Sequence, residues 1–272
     1  MGLVCYSLMI RIVSRPGPIA AIFAGMLLAT AFAPTPVWAI DPGAPPVIVS
    51  GAEALDNSEE AFHLTVMADF NRDGIVDIAK ATAGDSSGPG VLTLSLGKTD
   101  GTFQQTFSRQ VLGHDPHSMV AVDVNRDGIS DLIVGDDDGS LMLFLGDGAG
   151  NLIAAGNIAH LDSVVSITVG DFNQDGIPDM AVSDWRSGSL VLLLGSSDGL
   201  FSRGRSFPLR MPGTEPNLVV ADFNKDGIPD LAVVYGDDGA YTYDVMLGDG
   251  KGNFSPSPEL SFVRDPNSHC NT

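Results

Sequence analysis

Four stretches of this chain place oxygen-bearing side chains at a spacing suited to a hard cation. They are Asp69, Asn71, Asp73 and Asp77; Asp123, Asn125, Asp127 and Asp131; Asp171, Asn173, Asp175 and Asp179; and Asp222, Asn224, Asp226 and Asp230. Each reads Asp-x-Asn-x-Asp-Gly-Ile-x-Asp. Side-chain oxygens at positions 1, 3, 5 and 9, with the backbone carbonyl of position 7 (Ile75, Ile129, Ile177, Ile228), give about six or seven ligands. That set suits Ca2+. Mg2+ wants a tighter octahedron, and no His or Cys stands in the loops to favour zinc. Gly74, Gly128, Gly176 and Gly227 at position 6 are expected to supply the positive φ that folds the loop round an ion. Position 4 is long and polar (Arg72, Arg126, Gln174, Lys225), as a solvent-facing tip would be. Position 2 is apolar (Phe70, Val124, Phe172, Phe223), and it and the position-7 isoleucine are expected to anchor each loop in a core between repeats.

An EF-hand would need a Glu at loop position 12, where this chain has Lys80, Val134, Val182 and Val233. The alternative to a metal is a set of Asx-rich turns satisfied by their own backbone bonds. Against it stands the crowding of three carboxylates in each loop, which a divalent cation offsets. Twelve of the 34 acidic residues lie in these loops, so filling them would sharply reduce a formal net charge of -20. The expected affinity is that of extracellular calcium modules, ~0.1–1 mM.

Other chemistry is thin. Gly195, Ser197 and Gly199 match the G-x-S-x-G pattern of hydrolase nucleophiles. The same turn recurs at Gly97–Gly101, Gly146–Gly150 and Gly248–Gly252, and the strand-to-helix setting is missing, so the turn explains the pattern. His114, Asp115, Pro116 and His117 align with Thr214, Glu215, Pro216 and Asn217 and read as a surface loop. Asp136, Asp137, Asp138, Asp237 and Asp238 read as solvated hairpin tips. Trp185, beside Arg186, is either a packed tip residue or an exposed ring able to stack on a sugar. Phe103, Phe201 and Phe254 recur at one place in the repeat and are expected in the core.

The acidic loops must be carried by strands. They recur at intervals of about 50 residues, each followed by the glycine turn, and internal repetition decides the architecture. Apolar alternation marks strands at Leu64–Ala68 and Asn217–Ala221 before the loops, and at Asp77–Ala83 and Asp230–Tyr235 after them. Third strands follow at Val91–Leu96, Leu141–Leu145, Leu190–Leu194 and Tyr241–Leu247, and a weaker fourth runs through Thr102–Gln110 and its equivalents. The fold class is therefore all-β, with propeller blades of four antiparallel strands. The repeats cover about 64–112, 117–160, 164–210 and 217–262, with a tail at 263–272. Ahead of them, 40–63 is a linker in which Pro46–Ser50 could supply a closing strand.

Residues 1–39 read as an export signal: Arg11 and Arg15, an apolar run from Ile19 to Ala33, and a cleavage point after Ala39. The apolar run is too short for a comfortable span, so no stable membrane segment is expected after cleavage. Export leaves Cys270 alone, with no intramolecular disulfide. The acidic balance argues against nucleic acid and anionic membranes.

These loops and strands resemble the FG-GAP and VCBS repeats, the blades of integrin α-subunit propellers and of many bacterial surface proteins. The resemblance spans roughly Leu64 to Phe262. It implies a β-propeller with calcium in a hairpin loop of each blade, at the Asp and Asn positions named above. It also implies adhesion, ligand or carbohydrate binding, or service as a scaffold beside an enzyme. Such propellers usually close with about seven blades, and this chain has four. A four-blade ring, an open array completed by another subunit, and a shortened gene product all stay open.

The functional expectation is a calcium-binding adhesion or binding module, secreted, periplasmic or on the cell surface, with a protein or glycan ligand and no catalysis. Self-association is expected if the propeller is incomplete. An enzyme acting on polysaccharide would need one deviant blade with inward His, Lys or Arg, and the basic residues are thinly spread.

Overall fold

The computed structural model of this protein describes residues 63–84, 89–110, 115–210, 215–237 and 240–263. The expected signal, the segment ahead of residue 63 with its closing strand, His114, Asp238 and the tail beyond residue 263 lie outside the described residues. Every regular element described is a strand. Blade 1 consists of β1 (His63–Ala68), β2 (Asp77–Thr82), β3 (Val91–Gly97) and β4 (Phe103–Gln110). Blade 2 is β5 (Pro116–Val122), β6 (Asp131–Asp136), β7 (Ser140–Gly146) and β8 (Leu152–His160). Blade 3 is β9 (Val164–Gly170), β10 (Asp179–Asp184), β11 (Ser189–Gly195) and β12 (Phe201–Pro208). Blade 4 is β13 (Asn217–Ala221), β14 (Asp230–Asp237), β15 (Ala240–Gly248) and β16 (Phe254–Val263). Each blade is one antiparallel sheet in chain order.

Register fixes which side chains share a face. Val66 pairs with Ala79, and Ala79 with Leu94, so these three form one row across blade 1. The next row, Met67, Ile78 and Ser95, faces the other way. The corresponding first row is Val120, Ile133 and Leu143 in blade 2, and Val219, Ala232 and Val245 in blade 4. We call this side of each blade its front and the opposite side its back.

Blades stack front to back in chain order. The front of blade 1 and the back of blade 2 share a buried layer that includes Val66, Ala79, Leu94, Met119, Leu132 and Phe144. A second layer fills the gap between blades 2 and 3, and a third the gap between blades 3 and 4. Strand burial follows from this stacking. In β6 and β10 every residue is buried, because blades 2 and 3 are covered on both faces. In β2 buried and half-buried residues alternate, because among the described residues only the front of blade 1 is covered. The innermost strands β1, β5, β9 and β13 touch in succession. Serine hydroxyls lock that row: Ser118 Oγ accepts from Ile167 N–H at 2.9 Å, and Ser166 Oγ from Leu218 N–H at 3.1 Å. No fourth layer joins blade 4 to blade 1 among the described residues. The sheets do not close.

One expectation fails at the end of this array. Phe254 is buried and Phe201 half-buried, but Phe103 is 50% exposed. The position is core only where a preceding blade covers it, and among the described residues none covers blade 1.

Candidate metal centre

Antiparallel order puts the loop between the first two strands of a blade at the same end as the turn between the last two. The sequence couples those segments; one carboxylate explains why. Asp77 Oδ2 accepts from Phe70 N–H at 2.8 Å and its Oδ1 from Gly97 N–H at 2.9 Å. Asp131 does the same with Val124 and Gly146, Asp179 with Phe172 and Gly195, and Asp230 with Phe223 and Gly248. All four carboxylates at position 9 are fully buried. The glycine is needed because its Cα lies against the loop: a Cβ at Gly195 would stand 2.2 Å from the Pro178 carbonyl oxygen.

The other positions build a nest of backbone N–H groups around position 1. Asp69 accepts from Arg72 N–H at 2.7 Å and Gly74 N–H at 2.9 Å. Its counterparts Asp123, Asp171 and Asp222 each accept from the N–H of positions 5 and 6. Asn71, Asn125, Asn173 and Asn224 accept from the N–H of position 5 and donate Nδ2 to its carboxylate, with that second bond at 2.8–2.9 Å in every loop. Asp73, Asp127, Asp175 and Asp226 each cap the position-7 isoleucine N–H at 2.8 Å.

Glycine at position 6 has the expected positive φ, between 78° and 83°. The sequence did not reveal that position 4 is left-handed too, at φ 63°, 62°, 58° and 67° for Arg72, Arg126, Gln174 and Lys225. Nothing in their side chains signals it, since Gly or Asn is the usual occupant of that region. Nor is position 4 only a solvent-facing tip. Arg72 reaches the next blade, donating to the carbonyls of Gly128 at 3.0 Å and Asp127 at 2.7 Å.

The apolar anchors divide. Phe70, Val124 and Phe172 are buried between blades, as expected, whereas Phe223 is 37% exposed. The isoleucines at position 7 are half-buried and lie over their own blade's turn glycine instead of entering the inter-blade core. At the opposite end of the blades, the acidic tip of blade 2 is not simply solvated. Asp136 is buried. Asp137 accepts from Ser163 Oγ at 2.8 Å and pairs with Arg186 at 2.7 Å. The Ser163 hydroxyl and the Arg186 guanidinium hold its carboxyl below the usual range. Trp185 is half-buried, its indole Nε1 shielded from solvent, so it packs at this tip. The G-x-S-x-G segment is a tight turn in which Ser196 bonds Asp198.

Electrostatics bear on whether the loops fit a cation. Burial raises Asp77, Asp131 and Asp179 to about 6, against the N–H bonds that lower them. Like charge adds to the rise: Asp69 and Asp73 act on Asp77, Asp123 and Asp127 on Asp131, and Asp175 on Asp179. Among the described residues no three His, Cys, Asp or Glu side chains converge as a cage. The carboxylates are turned onto backbone N–H groups, and position 3 is an amide. The donor set remains one of hard oxygens under mutual repulsion, and it fits a hard divalent cation.

An open cleft of ≈ 920 Å³ runs along the inner strands of blades 2 to 4, walled by Val122, Ile167 and Leu218. Asp123, Arg126 and Asp171 stand at its rim. It opens beside the acidic loops.

A family model described as the FG-GAP-like repeat matches residues 69–134, 123–182 and 172–233. The chain belongs to the FG-GAP-like repeat family. All four acidic loops of this FG-GAP-like protein fall inside the matched span. Membership implies a β-propeller-type binding module of the extracellular kind. Among solved structures the chain is similar to one described as BBS1N in complex with ARL6DN, soaked with lead. Identity is 11% and the TM-score 0.37, over 75% of this chain and 81% of that one. No helix among the described residues is long and apolar enough to cross a membrane.

Proposed function

We propose that this FG-GAP-like protein is an exported, calcium-dependent binding module that engages a protein or glycan at the cell exterior and performs no catalysis. The observation that carries the reading is the fourfold recurrence of one loop geometry. Left-handed backbone at positions 4 and 6 appears in every blade, with position 1 accepting from the position-6 N–H and position 5 accepting from the position-3 amide and the position-7 N–H, at one end of the array.

In each loop, Ca2+ would be held by the side-chain oxygens of positions 1, 3, 5 and 9 and the carbonyl of position 7. When bound, the ion supplies positive charge among carboxylates that otherwise repel. The chain's own residues do the positioning. Position 9 fixes the loop to the turn, Gly at position 6 lets the backbone reverse, and in blades 1 to 3 the position-2 side chain roots the loop between blades. Loops set in this way stiffen one rim of the module, beside the cleft, where a ligand would be taken.

Calorimetric titration of the protein with Ca2+, with melting followed in Ca2+ and in chelator, tests the reading. Close to four sites and a large loss of melting temperature in chelator are expected. No heat of binding and identical melting curves would reduce the loops to plain turns. Glycan arrays and cell or matrix adhesion assays, run with and without Ca2+, test the ligand class.

A further inference from the structure

Among the described residues the inter-blade junction is built three times, and both of its halves are left open at the ends of the array. In the junction of blades 3 and 4, Phe172 of the loop meets Phe254 of the outermost strand edge-on, with ring centroids 5.5 Å apart. The same positions share the buried layer in the other two junctions, as Phe70 with Leu152 and Val124 with Phe201. At the free front of blade 4 the loop position is Phe223, 37% exposed, and at the free back of blade 1 the strand position is Phe103, 50% exposed. These are the two members of one missing pair.

Neighbouring positions repeat the pattern. Val219, 47% exposed, occupies the row position where Val66 and Val120 are fully buried. The turn glycines Gly150, Gly199 and Gly252 each lie against the preceding blade, whereas a Cβ at Gly101 would meet nothing within 4 Å. Lys225 holds the place from which Arg72 clamps the next blade, and it is exposed.

We propose that these open faces are taken by a second copy of this chain, docked head to tail, with the front of blade 4 on the back of blade 1. Phe223 of one copy then meets Phe103 of the other as Phe172 meets Phe254. Two copies joined at both ends make eight blades, within the four to eight that propellers use. Such a ring is the smallest closed assembly of the pair, and closure leaves no unpaired face. The back of blade 1 carries Lys80 and Ser95 where blade 2 has Val134 and Phe144. The junction between copies is therefore more polar than those within the chain, and it forms reversibly.

Sedimentation equilibrium over a wide concentration range, on the full chain as purified from its expressing host, tests this. The expected mass is that of two copies. Phe223→Asp removes one half of the junction and Phe103→Asp the other, so each variant alone is expected to be a single copy, weakened at least ~30-fold in association. Mixing the two variants leaves one intact junction, and a one-to-one pair is expected to reappear. Val219→Lys serves as a second front-face variant, and circular dichroism and melting confirm that each variant is folded. A single copy at every concentration overturns the proposal, whether the chain closes on itself or its own residues 40–62 cover the face. So does a dimer that survives all three substitutions, or folded variants that fail to complement.

Discussion

The carboxylate of Asp179 bridges two backbone segments of blade 3, accepting from Phe172 N–H at 3.0 Å and Gly195 N–H at 2.8 Å. It is fully buried, so each of those N–H groups depends on it. Asp179→Ala would orphan both donors, and an unsatisfied buried donor costs about 1–3 kcal/mol. The expected loss is about 3 kcal/mol in denaturant unfolding, present in chelator as well as in Ca2+. Loss only in Ca2+ would make Asp179 a ligand and nothing more.

The same carboxylates set an unusual dependence on pH. Burial raises Asp77, Asp131 and Asp179 from 3.8 to about 6 in the folded protein. A folded pKa above the unfolded one means that the native state binds these protons more tightly. The resulting stabilisation is complete below about 3.8 and is lost as pH rises through 6. In chelator, the melting temperature is expected to rise as pH falls from 7 to 5. In saturating Ca2+ the trend should vanish or reverse, because protons then compete with the ion for the loops. A fall in melting temperature over that window in chelator would contradict the assignment.

Two glycines of one blade should respond differently to one added methyl group. Gly176 has φ +80° with nothing within 4 Å of a Cβ, so its cost is conformational, about 1–2 kcal/mol for Ala and more for β-branched Val. Asn tolerates that region and should be milder. Gly195 has ordinary φ, but a Cβ there would press on the Pro178 carbonyl at 2.2 Å and the Ile177 side chain at 3.1 Å. Gly195→Ala is expected to cost about 2–3 kcal/mol by forcing the turn off the loop, and Asn should bring no relief. Equal effects of Asn at both sites, measured by thermal melts, would refute the distinction.

These contrasts show what the sequence carries. Strand positions were legible because apolar alternation has a fixed period of two, and β1, β3 and β13 start and stop within a residue of the expected ends. The loops were legible because their residue types recur in register. The second role of a repeated Asp was not: type and spacing do not show that Asp179, expected as a ligand, also clamps the loop to the turn through two backbone N–H groups. Nor does a sequence position reveal its neighbours in space. Phe103 and Phe254 look alike in the repeat, yet one is exposed and the other buried, because burial there depends on the preceding blade. The left-handed backbone at Arg72 left no trace in residue type.

Arg72 gives the last test. Its guanidinium joins the loops of blades 1 and 2 through two carbonyls, while its backbone sits at φ 63°. These contributions oppose one another on substitution. Arg72→Ala removes two exposed hydrogen bonds, a loss of about 1 kcal/mol, and keeps the unfavourable backbone. Arg72→Gly removes the same bonds and relieves a strain of about 1–2 kcal/mol, although glycine's greater chain entropy returns part of that gain. Arg72→Gly is therefore expected to be at least as stable as Arg72→Ala, contrary to the usual order of these residues. Chemical denaturation of the two variants decides it: Ala clearly above Gly would mean that the left-handed turn at this position is not the native one.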